Sequence, residues 1–161
     1  MRNGCEKVVA GKMEFGGVID ITDPCYRRKT RSRMNDVAIV PGTYACVAYV
    51  KDTGPWGKRV ATAGVYLNGI IPKVFDMKSL GIIGVDSGMA GIFTHKPDFT
   101  DDQWDEFCAL TDALEYPCVC LNDTDLFRGF LVSSGYGDGG YPVYVARNEE
   151  SGIVALELRF M

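Results

Sequence analysis

The sequence predicts a mainly β domain over residues 1–161: an antiparallel β-sandwich or strongly bent sheet carrying one α-helix. Three observations predict it. The apolar runs are short, β-branched or aromatic, and punctuated by Gly, Pro, Asn and Asp. The final stretch reads as a hairpin, and a single segment carries a helix-starting signal. With 161 residues, 47% of them hydrophobic and 24% charged, the chain can bury one real core and has no compositional reason for disorder.

Val18-Ile19-Asp20-Ile21 is the first extended run. Gly42 to Val50 follows Pro41 and alternates so that Tyr44, Cys46, Ala48 and Val50 share one face of a strand. Shorter strands are expected at 63–67, 82–85, 91–93, 119–121 and 130–133. Thr100-Asp101-Asp102-Gln103 has the capping-box form, with a hydroxyl at the N-cap and an amide three residues on. A helix from Thr100 to Leu114 would put Trp104, Phe107, Cys108, Thr111 and Leu114 on one face, as a lid over the sheet. The polar turn 148–152 then separates the hairpin arms 142–147 and 153–160. On the second arm, Val154, Leu156, Leu158 and Phe160 are expected to face the core, and Glu157 and Arg159 to face water.

The formal net charge of −4 argues against a surface that coats nucleic acid or membrane. Met1 to Lys7 is polar, and no long apolar run occurs, so the chain reads as a cytoplasmic protein. Six cysteines are then expected as free thiols. Cys118-Val119-Cys120 lacks zinc or redox spacing and, in a strand, turns both thiols to one face.

The densest local signal is Ser133 to Val145, where Gly135, Gly137, Gly139 and Gly140 surround Asp138. Such a stretch must be a sharply folded loop, with positive φ at one or more of Gly137, Gly139 and Gly140. Its likeness to the turns at Asp20–Asp23 and Asp86–Gly88, each a strand end with a central carboxylate, predicts that the three meet.

Four ordered pieces carry a resemblance. Asp20 to Tyr26, Val40 to Tyr44, Val85 to Phe93 and Ser134 to Phe160 resemble a bacterial family catalogued as domain of unknown function 4241. The resemblance spans most of the chain and implies no particular activity. In that family an acidic residue commonly follows the Phe at position 93; here Thr94 and His95 stand there.

Several residues are candidates for chemistry. If the strand ends converge, Asp20, Asp23, Asp86 and Asp138 would share a rim able to hold a divalent cation such as Ca²⁺ or Mg²⁺; as turn residues they would instead cap backbone N–H groups. Arg27-Arg28-Lys29-Thr30-Arg31-Ser32-Arg33 either grips phosphate or forms a mobile solvated loop. Trp56, Tyr136 and Tyr141 either stack on a ligand or cover the ends of the core. Ser87, Ser133, Ser134 and Cys25 are weak nucleophile candidates beside the single histidine, His95, with no G-x-S-x-G elbow. The expected function is a non-enzymatic binding module that recognises a small anionic ligand or a protein through Asp20, Asp23, Arg27, Arg28, Arg31, Asp86, Ser87, Tyr136, Asp138 and Tyr141. The alternatives are a divalent-cation enzyme acting on a phosphorylated substrate held by Arg27, Arg28 and Arg31, and an inhibitor or immunity-type interaction protein.

Overall fold

The chain folds into two antiparallel sheets that face each other across a hydrophobic core, as a computed structural model describes for residues 2–113, 118–122 and 126–161. Its elements are β1 (Glu6–Phe15), β2 (Val18–Thr22), β3 (Met34–Ala38), β4 (Gly42–Asp52), β5 (Lys58–Leu67), β6 (Lys78–Val85), β7 (Met89–His95), α1 (Asp101–Asp112), β8 (Cys118–Leu121), β9 (Arg128–Ser133), β10 (Gly139–Arg147) and β11 (Ile153–Arg159). One sheet has the order β1-β4-β5-β11-β10-β6 and the other β3-β2-β7-β9-β8. All the expected strands are present, most of them longer than the apolar runs that announced them. No helix among the described residues is long and apolar enough to cross a membrane.

Alternation along each strand sends every second side chain inward. Tyr44, Cys46, Ala48 and Val50 of β4 all enter the central core, as their spacing predicts. Val47 and Tyr49 on the opposite face are buried too, because a second cluster with Tyr66, Met77, Ala146 and Ala155 covers the outside of the six-stranded sheet. That cover corrects the reading of β11. Glu157 is 1% exposed and Arg159 5%, so the face expected to be wet is interior. There Glu157 accepts from Tyr66 Oη at 2.7 Å and Arg159 Nε at 3.0 Å, and pairs with Arg2. A buried carboxylate is tolerable only with such partners. Val154 is also displaced: Ile153 pairs with Arg147 and Ala155 with Ala146, so a bulge leaves Val154 on the outside and puts Ile153 in the core.

The helix begins where its capping box predicts. Thr100 Oγ1 accepts from Gln103 N, and the Gln103 amide oxygen accepts from Thr100 N. Its apolar face lies on the outside of the five-stranded sheet, where fully buried Phe107 meets Phe127 with ring centroids 4.9 Å apart and stacks on Trp104 at 5.4 Å. Burying one such phenylalanine is worth about 2–3 kcal/mol. Leu114, the expected end of the helix, lies outside the described residues.

The flanks of the sandwich are closed. On one side β1 runs beside β8, and Asn122 Nδ2 donates to Lys12 O at 3.4 Å. On the other, the segment between β2 and β3 crosses the edge of β6, where Gly84 N donates to Ser32 O at 2.8 Å.

Candidate functional site

One end of the sandwich gathers the turns that the sequence marks as candidates. Gly139 of β10 pairs with Val85 of β6, so the loop before β10 lies beside the turn after β6. Ser134 N donates to Gly88 O at 3.0 Å and fixes the two together. Asp23, at the end of β2, reaches the same turn. The expectation that these segments meet therefore holds for Asp23, for Asp86–Gly88 and for the Gly135–Tyr141 loop.

The carboxylates at this end do separate work. Asp23 is fully buried: its Oδ2 accepts from Asp86 N and Ser87 N, both at 2.7 Å, and its Oδ1 from Ser87 Oγ at 2.7 Å and Cys25 N at 2.8 Å. These four donors, joined by the Cys25 thiol, saturate it, so it stitches two turns together. Asp20 faces another way. Its carboxylate accepts from Arg28 and Arg33, both at 3.2 Å, and from Asp36 N at 2.9 Å. Asp86 is exposed and hydrogen-bonds the Tyr26 hydroxyl; partial burial, followed by this bond to a carboxylate, pushes the Tyr26 phenol up to about 12. Asp138 is exposed. Among the described residues, no three His, Cys, Asp or Glu side chains are grouped so as to hold a metal ion.

The arginine-rich segment is exposed from Arg27 to Ser32, half-buried Thr30 apart, as the solvated-loop reading expects, and departs from that reading at Arg33. Arg33 is buried, donating to Asn35 Oδ1 at 2.6 Å and Tyr26 O at 3.0 Å besides Asp20. Arg28 also pairs with Asp36, while its backbone N donates to Asp98 at 2.7 Å. Lys96 Nζ donates to Tyr26 O and Pro97 O, each at 3.0 Å, and lies 4.5 Å from the Phe99 ring centroid. Burial and, after it, the nearby Arg33 charge lower the Lys96 amine to about 8. Arg27 and Arg31 remain exposed. Arg31 lines an open crevice of about 450 Å³ with Tyr26, Ser32, Asp86, Gly139 and Gly140. A separate cleft of about 510 Å³ holds Asp20, Arg28, His95 and Lys96.

The glycine-rich loop is closed on itself. Gly137 N donates to Ser134 O and Ser134 Oγ to Gly137 O, each at 2.8 Å, while Tyr141 Oη donates to Gly137 O at 2.6 Å. Tyr141 thus spends its hydroxyl on the loop and its ring edge-on against Phe160, with centroids 5.0 Å apart. Positive φ is found at Gly137 (+114°) and Gly135 (+56°), and a Cβ at Gly135 would stand 2.9 Å from Phe160 Cβ. Tyr136 projects outward from this frame, 60% exposed.

Across from it, the β4–β5 turn presents Trp56, 69% exposed. That turn is also braced: Gly54 N donates to Asp52 Oδ1 at 2.9 Å, and Thr53 N and Oγ1 donate to Gly57 O at 3.0 and 2.6 Å. Arg59 links the two aromatics, since its Nε donates to Trp56 O at 3.0 Å and its guanidinium carbon lies 5.9 Å from the Tyr136 ring centroid. Sequence reasoning singles out both aromatics and misses Arg59; the period-two step from Gly57 into β5 was the signal that could have placed it on the same rim.

Among the described residues the nucleophile readings find no pair. Ser87 Oγ donates to Asp23 and Ser134 Oγ to Gly137 O, not to His95. At Cys25, desolvation and then the hydrogen bond to Asp23 push the thiol up to about 12, the reverse of an activated thiolate.

The family profile described as protein of unknown function, DUF4241, matches residues 15–158, so the chain belongs to that family. No curated protein and no solved structure matches the chain.

Proposed function

We propose that this member of the DUF4241 family is a binding module whose working face is the braced end of the sandwich, with Trp56, Arg59 and Tyr136 as its contact residues and a protein as its partner. One observation carries the reading: two large aromatics are held more than half exposed on loops that hydrogen bonds make rigid, with an arginine between them. Exposed Trp and Tyr rings contribute little to folding, whereas Trp, Tyr and Arg dominate the energetics of protein interfaces. Rigid presentation also reduces the ordering cost of association. A small anion is the second reading, favoured by the crevice where exposed Arg31 faces the side-chain-free wall of Gly139 and Gly140.

The test is co-purification from the native host with the wild-type chain and with Trp56→Ala/Tyr136→Ala. A partner held by the wild type and lost by the double variant, at unchanged melting temperature, supports the protein reading. Undiminished capture by the double variant refutes it. Stabilisation by nucleotides or inorganic phosphate that Arg31→Ala abolishes would instead support the anion reading, and stabilisation by Mg²⁺ or Mn²⁺ lost in Asp138→Asn would support a cation-dependent enzyme.

A further inference from the structure

Three of the six cysteines lie where the two sheets meet along the β1–β8 flank. Cys46 is fully buried on β4, and Cys118 and Cys120 lie on β8 of the facing sheet. Cys120 is half-buried on an edge strand, packed against the core cluster that contains Cys46, and its thiol shares a hydrogen bond with Cys46. Gly11 of β1 makes the approach possible. It pairs directly with Cys46, so a side chain at 11 would share a face with the Cys46 thiol. A Cβ at 11 would lie 3.5 Å from both Cys120 Cβ and Cys120 Sγ. The residue between the two thiols is thus the one without a side chain, so no side chain stands in the way of the sulfurs closing to a bonding distance of about 2 Å.

We propose that Cys46 and Cys120 are a redox cross-linking site, joined as an inter-sheet disulfide when the protein meets a small-molecule disulfide. The Cys120 thiolate attacks the small disulfide, forming a mixed disulfide and expelling one small thiolate, which takes up a proton. The Cys46 sulfur, losing its proton, then attacks Cys120 Sγ and expels the second small thiol. Two protein thiols are oxidised and one small disulfide is reduced to two thiols. The hydrogen bond with Cys120 and burial hold Cys46 in the protonated form, so closure is slow at neutral pH and quickens as pH rises. The link closes the long loop from 46 to 120 and pins the flank where, among the described residues, Asn122 Nδ2 bridges the two sheets by one long hydrogen bond to Lys12 O.

The experiment treats the folded full chain with oxidised glutathione, alkylates residual thiols, and maps a non-reducing digest by mass spectrometry. The expected result is a Cys46 peptide joined to a Cys120 peptide, with the melting temperature raised on the order of 10 °C and restored by dithiothreitol. Cys120→Ser, at a half-buried edge position, should lose the link and the shift; Cys118→Ser should keep both. Glutathione left on Cys120 without closure, a link through Cys118, modification of Cys25 alone, or a link formed only after denaturation would each overturn the proposal.

Discussion

Replacing Asp23 by asparagine isolates the contact that holds the loop end together. The wild-type carboxylate, itself fully buried, receives four hydrogen bonds of 2.7–2.8 Å from part-buried partners. Asparagine retains one acceptor oxygen. Its best arrangement aims that oxygen at Asp86 N and Ser87 N and lets the Ser87 hydroxyl turn to accept from the new amide, which leaves Cys25 N facing another donor. Hydrogen bonds to a charged acceptor contribute about 1.5–3 kcal/mol each, and the orphaned Cys25 N–H, part-buried, costs about 1 kcal/mol, the lower end for such a donor, so a net loss of about 3 kcal/mol is expected. For a chain of this length that lowers the melting temperature by roughly 6–12 °C. Urea denaturation followed by tryptophan fluorescence, with the slope checked for constancy, gives the free energy directly. A variant within about 0.5 kcal/mol of wild type, the size of an ordinary surface change, would show that the carboxylate does not stitch the turns and is available to a ligand.

Two further outcomes follow from the geometry. Gly135→Ala combines a left-handed backbone with a collision against Phe160 and should cost about 2 kcal/mol or more; Gly137→Ala, with positive φ but open space, should cost about 1 kcal/mol, and Gly140→Ala nearly nothing. Equal urea midpoints for all three would refute the view of this loop as a constrained corner. Cys25, Cys46 and Cys118 keep their protons in the fold above the ordinary thiol value of 9.0, as Tyr26, Tyr44 and Tyr66 do above 10.0. Each raised value contributes stability that is fully present below the unfolded pKa and lost as pH rises through the folded one. Lys96, lowered to about 8, acts in the opposite sense between there and 10.5, and Arg33, lowered by burial, does so at higher pH, but these are two groups against the six named. Urea midpoints should therefore fall from about pH 9 upward, and a midpoint constant from pH 8 to 11 would contradict these assignments.

The architecture was readable because strands with both faces buried still alternate around Gly and Pro, and because Thr100 and Gln103 announce a helix by chemistry local to four residues. What escaped depended on partners distant in sequence. Glu157 and Arg159 look like a wet face until Arg2 and Tyr66, which no local pattern connects to them, fold over the sheet. β1 was missed since Glu6, Lys7, Lys12 and Glu14 disguise a strand whose core contribution is Met13 and Phe15, with a register shift at Gly11. At the candidate site the convergence of turns was legible in their shared composition. The division of labour among the aspartates was not, because whether a carboxylate is saturated depends on backbone donors that appear only once Asp23 and the 86–87 turn touch.

The strand order β1-β4-β5-β11-β10-β6 has a consequence for biogenesis. β11, the latest of the described strands to leave the ribosome, is an interior strand, seated between β5 and β10. Until it is made, the growing chain holds two half-sheets, each with an unpaired inner edge offering N–H and C=O groups to any passing strand. Those edges are apolar on one or both faces, with Ala63 and Val65 on one and Val143 and Val145 on the other. A nascent chain stalled before residue 153 should therefore be a better client for a holding chaperone, and a more efficient seed for aggregation, than either the finished protein or a chain stopped before β10.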